Sequence, residues 1–119
     1  MNRKMVGSEN EQLAAQYLAG KGMRIVERNF RCRQGEIDLI GYHQGYLVFV
    51  EVKYRKNTVA GTAMEAVGAG KQKTICRVAD YYRFCHGLGD GTMLRYDVVA
   101  IQGDEIYWVQ NAFPHIYHI

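Results

Sequence analysis

The chain has 119 residues, enough for one compact core and too few for two, so residues 1–119 are expected to form a single domain. Hydrophobic residues make up 48% and charged residues 23%, with a net charge of +3, which excludes a disordered or strongly polyionic chain. No apolar run reaches the roughly 20 residues that cross a bilayer, the start MNRKMVGSENEQ has no signal-peptide core, and three cysteines fall in no paired spacing, so a cytoplasmic protein without membrane contact is expected.

Residues 8–19 read as a helix. Ser8 and Glu11 have the spacing of a capping box, and Leu13, Ala14, Tyr17 and Leu18 form an apolar stripe, ended by Gly20 and Gly22. Glu11 has two readings. It is a cap, or it lies on the inward side of the helix, three, four and seven residues before Ala14, Ala15 and Leu18. Met23 to Phe30 reads as a first strand, irregular at its end, and residues 31–34 as a basic connector.

The segment from Gly35 to Lys53, GEIDLIGYHQGYLVFVEVK, reads as two strands around a Gln44-Gly45 turn, with His43 exposed beside it. Alternation puts Glu36, Asp38 and Ile40 on one face and Ile37 and Leu39 on the other. In the second strand Leu47, Phe49, Glu51 and Lys53 oppose Tyr46, Val48, Val50 and Val52. A run as apolar as YLVFV belongs to a buried strand, where Glu-x-Lys needs a task or a partner. With a two-residue turn His43 faces Tyr46, and counting back places Asp38 opposite Glu51, with Cβ atoms roughly 5 Å apart. Such a pair is relieved by a shared proton or a divalent cation. The plainer alternative is a surface hairpin whose carboxylates pair with Lys53.

After Lys53 the chain is polar and then small, with a second capping box at Thr62 and Glu65 and a helical start expected near residue 63, weakened by Gly68 and Gly70. From Lys71 the pattern is clear: Ile75, Val78, Ala79 and Tyr82 form a stripe, with Lys71, Lys73, Arg77 and Arg83 largely off it, until GLGDG ends the helix. Cys85 is expected to be a buried thiol. MLRYDVVAI and EIYWVQ read as strands around Gly103-Asp104, and residues 111–119 as an irregular tail. His115 and His118, without a cysteine pair, make a poor zinc pattern. Trp108 and the tyrosines are expected mostly to pack, and Asp97 either pairs with Arg95 or supports the hairpin site. The order predicts a mixed α/β domain: one central sheet of four or five strands flanked by two helices.

Charge is unevenly spread. Residues 1–35 and 51–83 each carry seven basic and three acidic residues; residues 36–50 carry two acids and no base. These blocks suit a polyanion if the fold gathers them, and suit solvated helix faces if it does not.

Asp38, a gap of twelve residues, and Glu51-Val52-Lys53 resemble the D…(D/E)xK signature of restriction-endonuclease-like nucleases. More closely, the chain resembles the YraN-like family of predicted bacterial endonucleases, related to archaeal Holliday-junction resolvases. The matching pieces are Glu11 to Ala15 with Tyr17-Leu18, Arg28 to Arg31, Gly35 to Ile40, Phe49 to Lys53 with Arg55, Lys71-Gln72, Arg95 to Val99 and Asn111 to Phe113. The resemblance implies a restriction-endonuclease-like core of order α-β-β-β-α-β(-β). It implies Asp38 and Glu51 as ligands of Mg²⁺ (or Mn²⁺) with the Val52 carbonyl as a further oxygen, and Lys53 as the group that orients or deprotonates the attacking water or steadies the phosphate. Glu11 matches a helix-one glutamate that approaches the metal. Lys71 and Gln72 match phosphate-backbone contacts, and Arg55 and Lys73 are grouped with them as nucleic-acid-binding residues. The substrate implied is nucleic acid, DNA before RNA and in branched or structured form, and a homodimer follows by analogy with resolvases. Two other readings stay open: a non-catalytic nucleic-acid-binding module of the same fold acting with a partner protein, and an interaction protein in which Asp38, Glu51 and Lys53 form a satisfied salt-bridge cluster.

Overall fold

The computed structural model describes residues 3–55 and 67–117, with side chains from Ser8 onward except that of Arg55. The elements run α1 (Arg3–Gly20), β1 (Arg24–Cys32), β2 (Gly35–His43), β3 (Tyr46–Arg55), α2 (Ala69–Cys85), β4 (Leu94–Gln102) and β5 (Glu105–Phe113). The expected mixed α/β architecture is present, with five strands in the sheet. They lie in chain order, β1-β2-β3-β4-β5, and every neighbour pair is antiparallel except β3 and β4. A parallel pair needs a crossover, and α2 supplies it.

Each helix covers one face. Ala14 and Leu18 of α1 pack with Leu39, Val48, Val50, Val99 and Ile101. Ile75, Cys76, Val78, Ala79 and Tyr82 of α2 pack with Ile37, Ile40, Leu47, Phe49 and Tyr96. The α2 stripe is therefore the one read from periodicity. Strands β3 and β4 are buried on both sides, β3 through its continuous apolar run and β4 although it carries Arg95 and Asp97. No helix among the described residues is long and apolar enough to cross a membrane.

Several local expectations are corrected. Helix α1 begins at Arg3, so Ser8 lies inside it and caps nothing. Leu13 is 46% exposed: the buried line of α1 is centred on Ala14 and Leu18, and Leu13 falls about a third of a turn off it. Strand β1 continues to Cys32, because Arg31 pairs with Glu36 and Cys32 with Gly35 around a two-residue turn. Its bulge lies near its start, between Ile25 and Glu27. Helix α2 starts at Ala69 with Gly68 at its N-cap, so Gly70 is tolerated inside its first turn; the Thr62 capping box lies outside the described residues. Strand β5 continues to Phe113, three residues into the segment expected to be irregular. Cys85 is exposed at the end of α2, and Cys76 is the buried thiol there.

The hairpin turn behaves as read. Gln44 and Gly45 have φ of 52° and 85°, a type I′ turn, and His43 pairs with Tyr46. Alternation holds along β3 and breaks in β2. Ile37 packs on the α2 side with Ile40 and not on the α1 side with Leu39. The break falls opposite Asn29, a left-handed residue (φ 54°) between the paired Arg28 and Phe30 of β1.

Candidate functional site

The β2–β3 ladder ends at Leu39 and Val50. One step further stand Asp38 and Glu51. Counting from the two-residue turn, theirs is a non-hydrogen-bonded position, the kind in which facing side chains come closest. Had the ladder continued, the next step would have bonded the Val52 amide to Ile37. Instead the Val52 N–H donates to Asp38 Oδ2 at 2.8 Å. The kink in β2 thus turns a carboxylate onto the partner backbone. In an extended strand the N–H and C=O of a residue leave on the same side, so the Val52 carbonyl also faces β2.

Glu51 is 8% exposed and Asp38 is half-buried beside it. Burial, followed by the charge of Glu51, pushes Asp38 up from the ordinary aspartate value of 3.8 to about 7; the Val52 amide pulls the other way. At neutral pH the pair stands on the edge of sharing a proton.

Two ammonium groups flank Glu51. Lys53 Nζ is 3.8 Å from Oε1 and Lys71 Nζ is 3.7 Å from Oε2. Lys53 was expected from its position two residues along the same face. Lys71 was expected on the nucleic-acid backbone; the crossover through α2 brings it to the carboxylate itself.

Glu11 is half-buried on the inward side of α1, the second of its two readings. Its carboxyl is raised by burial and by the nearby charge of Asp38, while a hydrogen bond from the Asn29 side chain lowers it. Left-handed Asn29 thus meets Glu11 beside Asp38, a link that no pattern in the sequence indicated. The one available signal was residue type, since asparagine tolerates positive φ better than most residues. Arg28, next in β1, donates to Gln12 of α1 at 2.7 Å and ties the same two elements together.

The remaining expected contacts are spread out. The Gln72 amide donates to the Val67 carbonyl at 2.9 Å and steadies the entry to α2. Lys73 is exposed on α2, and the side chain of Arg55 lies outside the described residues. His43 is 7% exposed, a correction. Its Nδ1 is 2.9 Å from Arg95, which grips Asp97 with two further 2.9 Å bonds, and its ring meets Trp108. Asp97 also accepts from Trp108 Nε1 and the Asn111 amide, so it braces β4 to β5 and the hairpin turn. His115 shares a 2.6 Å hydrogen bond with the Tyr96 hydroxyl and stands 3.3 Å from Asp80.

For a hard divalent cation the donors fit in kind: two juxtaposed carboxylates and a carbonyl, all oxygen. Among the described residues no three His, Cys, Asp or Glu side chains gather closely enough to hold an ion alone. Glu11 stands near Asp38 without closing a three-carboxylate cluster with the pair. Mg²⁺ commonly takes one or two protein carboxylates and fills its shell with water and phosphate oxygens.

Fold and site together define a mixed α/β domain whose central hairpin ends in a carboxylate pair, Glu51 buried and Asp38 half-buried, flanked by lysines. The model described as "Uncharacterised protein family UPF0102" matches residues 10–101, and the chain belongs to that family. It is 46% identical over 113 residues to a UPF0102 protein of Lachnoclostridium phytofermentans, covering 95% of this chain and 96% of the relative. It is 45% identical over 118 residues to one from Alkaliphilus oremlandii (95% and 100% covered), and 45% over 112 to one from Colwellia psychrerythraea (90% and 87%). The matched segment contains Glu11, Asp38, Glu51, Lys53 and Lys71.

Proposed function

We propose that this protein is a Mg²⁺-dependent endonuclease that hydrolyses phosphodiester bonds of nucleic acid, with branched or structured DNA as its substrate class. The observation that carries the reading is the pairing of half-buried Asp38 with buried Glu51 at the end of an interrupted ladder, with Lys53 and Lys71 on Glu51. Holding two carboxylates together where water reaches them only in part costs stability, and a cation site explains the cost. The D…ExK resemblance and the α-β-β-β-α-β order point the same way.

Asp38, Glu51 and the Val52 carbonyl would hold Mg²⁺ or Mn²⁺, which when bound polarises a phosphoryl oxygen and acidifies a water. The protein's own contributions follow from position. The Val52 N–H fixes the Asp38 carboxylate, and Lys53 places an ammonium beside Glu51, where it can orient a water or offset charge on a phosphate. Lys73 and the basic residues of the first block supply sequence-independent attraction to the backbone.

The test is cleavage of branched, single-stranded and duplex DNA and RNA in Mg²⁺, Mn²⁺ or EDTA. Cleavage must need the cation and disappear in Asp38→Ala and Lys53→Ala; activity that survives Asp38→Ala sinks the reading. A nucleic-acid-binding module without metal is the second reading, favoured by the ammonium groups that already face both oxygens of Glu51. Calorimetric titration separates the two, because the module takes up no cation at millimolar concentration.

A further inference from the structure

Glu51 is nearly closed to water, yet its two partners are held loosely. Charge-assisted N–H···O bonds run about 2.7–2.9 Å, whereas the ammonium groups stand at 3.8 Å (Lys53) and 3.7 Å (Lys71). Charge holds them there, not tight bonding. The two lysines also differ in freedom. Lys53 comes from the same strand and its side chain is 22% exposed; Lys71 comes from the first turn of α2 and is 43% exposed.

A divalent cation on Glu51 and an ammonium against the same carboxylate repel each other strongly at about 4 Å in a poorly screened site. Withdrawing one of the two ammonium groups eases the repulsion; Lys53 stays beside Glu51, and Lys71 is the one with solvent behind it. A nucleic-acid phosphate offers it a new partner. Its element suits that exchange, since the first turn of α2 carries no acid and its N-cap, Gly68, makes no side-chain cap bond.

Resting on the reading of Asp38 and Glu51 as a cation site, we infer that Lys71 is an internal competitor of the cation that the substrate's phosphate draws away. Lys71 then does two things at different stages. In the free protein it neutralises Glu51 and keeps cation affinity low. With nucleic acid bound it pairs with phosphate and exposes the carboxylate. Cation and nucleic acid therefore bind with positive coupling, and each raises the affinity for the other by the same factor. The site fills when substrate is present and is weakly loaded otherwise.

The experiment is Mn²⁺ binding to the free full-length protein, followed by electron paramagnetic resonance or calorimetry, in wild type, Lys71→Met and Lys71→Arg. Met keeps the aliphatic stem without the charge; Arg keeps the charge. The partial exposure of Lys71 makes either change compatible with the fold, which a circular-dichroism melt verifies. Lys71→Met is expected to bind Mn²⁺ roughly fivefold tighter than wild type, the worth of a partly exposed ion pair, while Lys71→Arg stays near wild type. In the same variant nucleic-acid binding weakens, and the slope of log affinity against log salt falls by about 0.9. Wild type and Lys71→Met binding Mn²⁺ equally well overturns the inference and leaves the cation site standing. No Mn²⁺ uptake by either protein at millimolar concentration overturns the cation site and the inference with it.

Discussion

Asp38→Asn is expected to make the cation-free protein more stable, although it removes a charge from the centre of the candidate site. Asp38 holds its proton up to about 7 in the folded chain, against 3.8 ordinarily. Between those values the native state binds more protons than the unfolded state, so stability falls as pH rises through the window and is flat above it. A rise of that size corresponds to about 4 kcal/mol of destabilisation at pH 8. Asparagine carries no such charge, and its amide oxygen can still accept the 2.8 Å bond from the Val52 N–H. The variant loses the favourable part of the carboxylate's interactions along with the unfavourable, so the net gain should be on the order of 2 kcal/mol, roughly 6–10 °C in Tm. Thermal or urea unfolding of both proteins in EDTA at pH 4, 6 and 8 is the assay. The advantage of the variant should be close to nothing at pH 4 and largest at pH 8. A variant less stable than wild type at pH 8 would refute the reasoning and favour a satisfied salt-bridge cluster, and a gain independent of pH would show that Asp38 is not the group responsible.

Cation affinity should rise up to about tenfold per pH unit below pH 7 and level off above it, since Asp38 must shed its proton to become a ligand; Mn²⁺ titrations from pH 5.5 to 8.5 would show this, and a flat profile would remove Asp38 from the site. Asp97→Ala strands the buried Arg95 guanidinium and should cost about 3–5 kcal/mol in urea unfolding. Gly41→Ala places a Cβ 2.8 Å from the Arg24 carbonyl oxygen, between β2 and the start of β1, and should cost about 1–3 kcal/mol by the same measurement. Asn29→Gly keeps the left-handed backbone and should be milder than Asn29→Ala, which adds strain of about 1 kcal/mol to the lost contact with Glu11; equal losses would mean the side chain alone matters.

What could be read from the sequence was local or had a short route through space. The Gln44-Gly45 turn set the register of its hairpin, and from it Asp38 and Glu51 followed by counting. The stripe of α2 needed only periodicity, and the buried run of β3 needed only its composition. The features that escaped depend on distant partners. His43 is buried because Arg95 and Trp108 arrive from β4 and β5, and Lys71 reaches Glu51 only because α2 crosses back over the sheet. Ile37 lies on the unexpected face because of Asn29 on the neighbouring strand, a cross-strand effect that alternation within one strand cannot reveal. Glu11 lay between the two kinds: its inward position was legible from helical spacing, but its rival role as a cap was removed only by the extension of α1 to Arg3.

The central claim is that Asp38 and Glu51 form a cation site, and a crystal of the protein soaked in Mn²⁺ tests it most directly through anomalous scattering at the manganese edge. The account predicts a peak between the two carboxylates, within bonding distance of the Val52 carbonyl, with Lys71 moved off Glu51. Soaked crystals with no peak there, and with Lys53 and Lys71 still against Glu51, would contradict it.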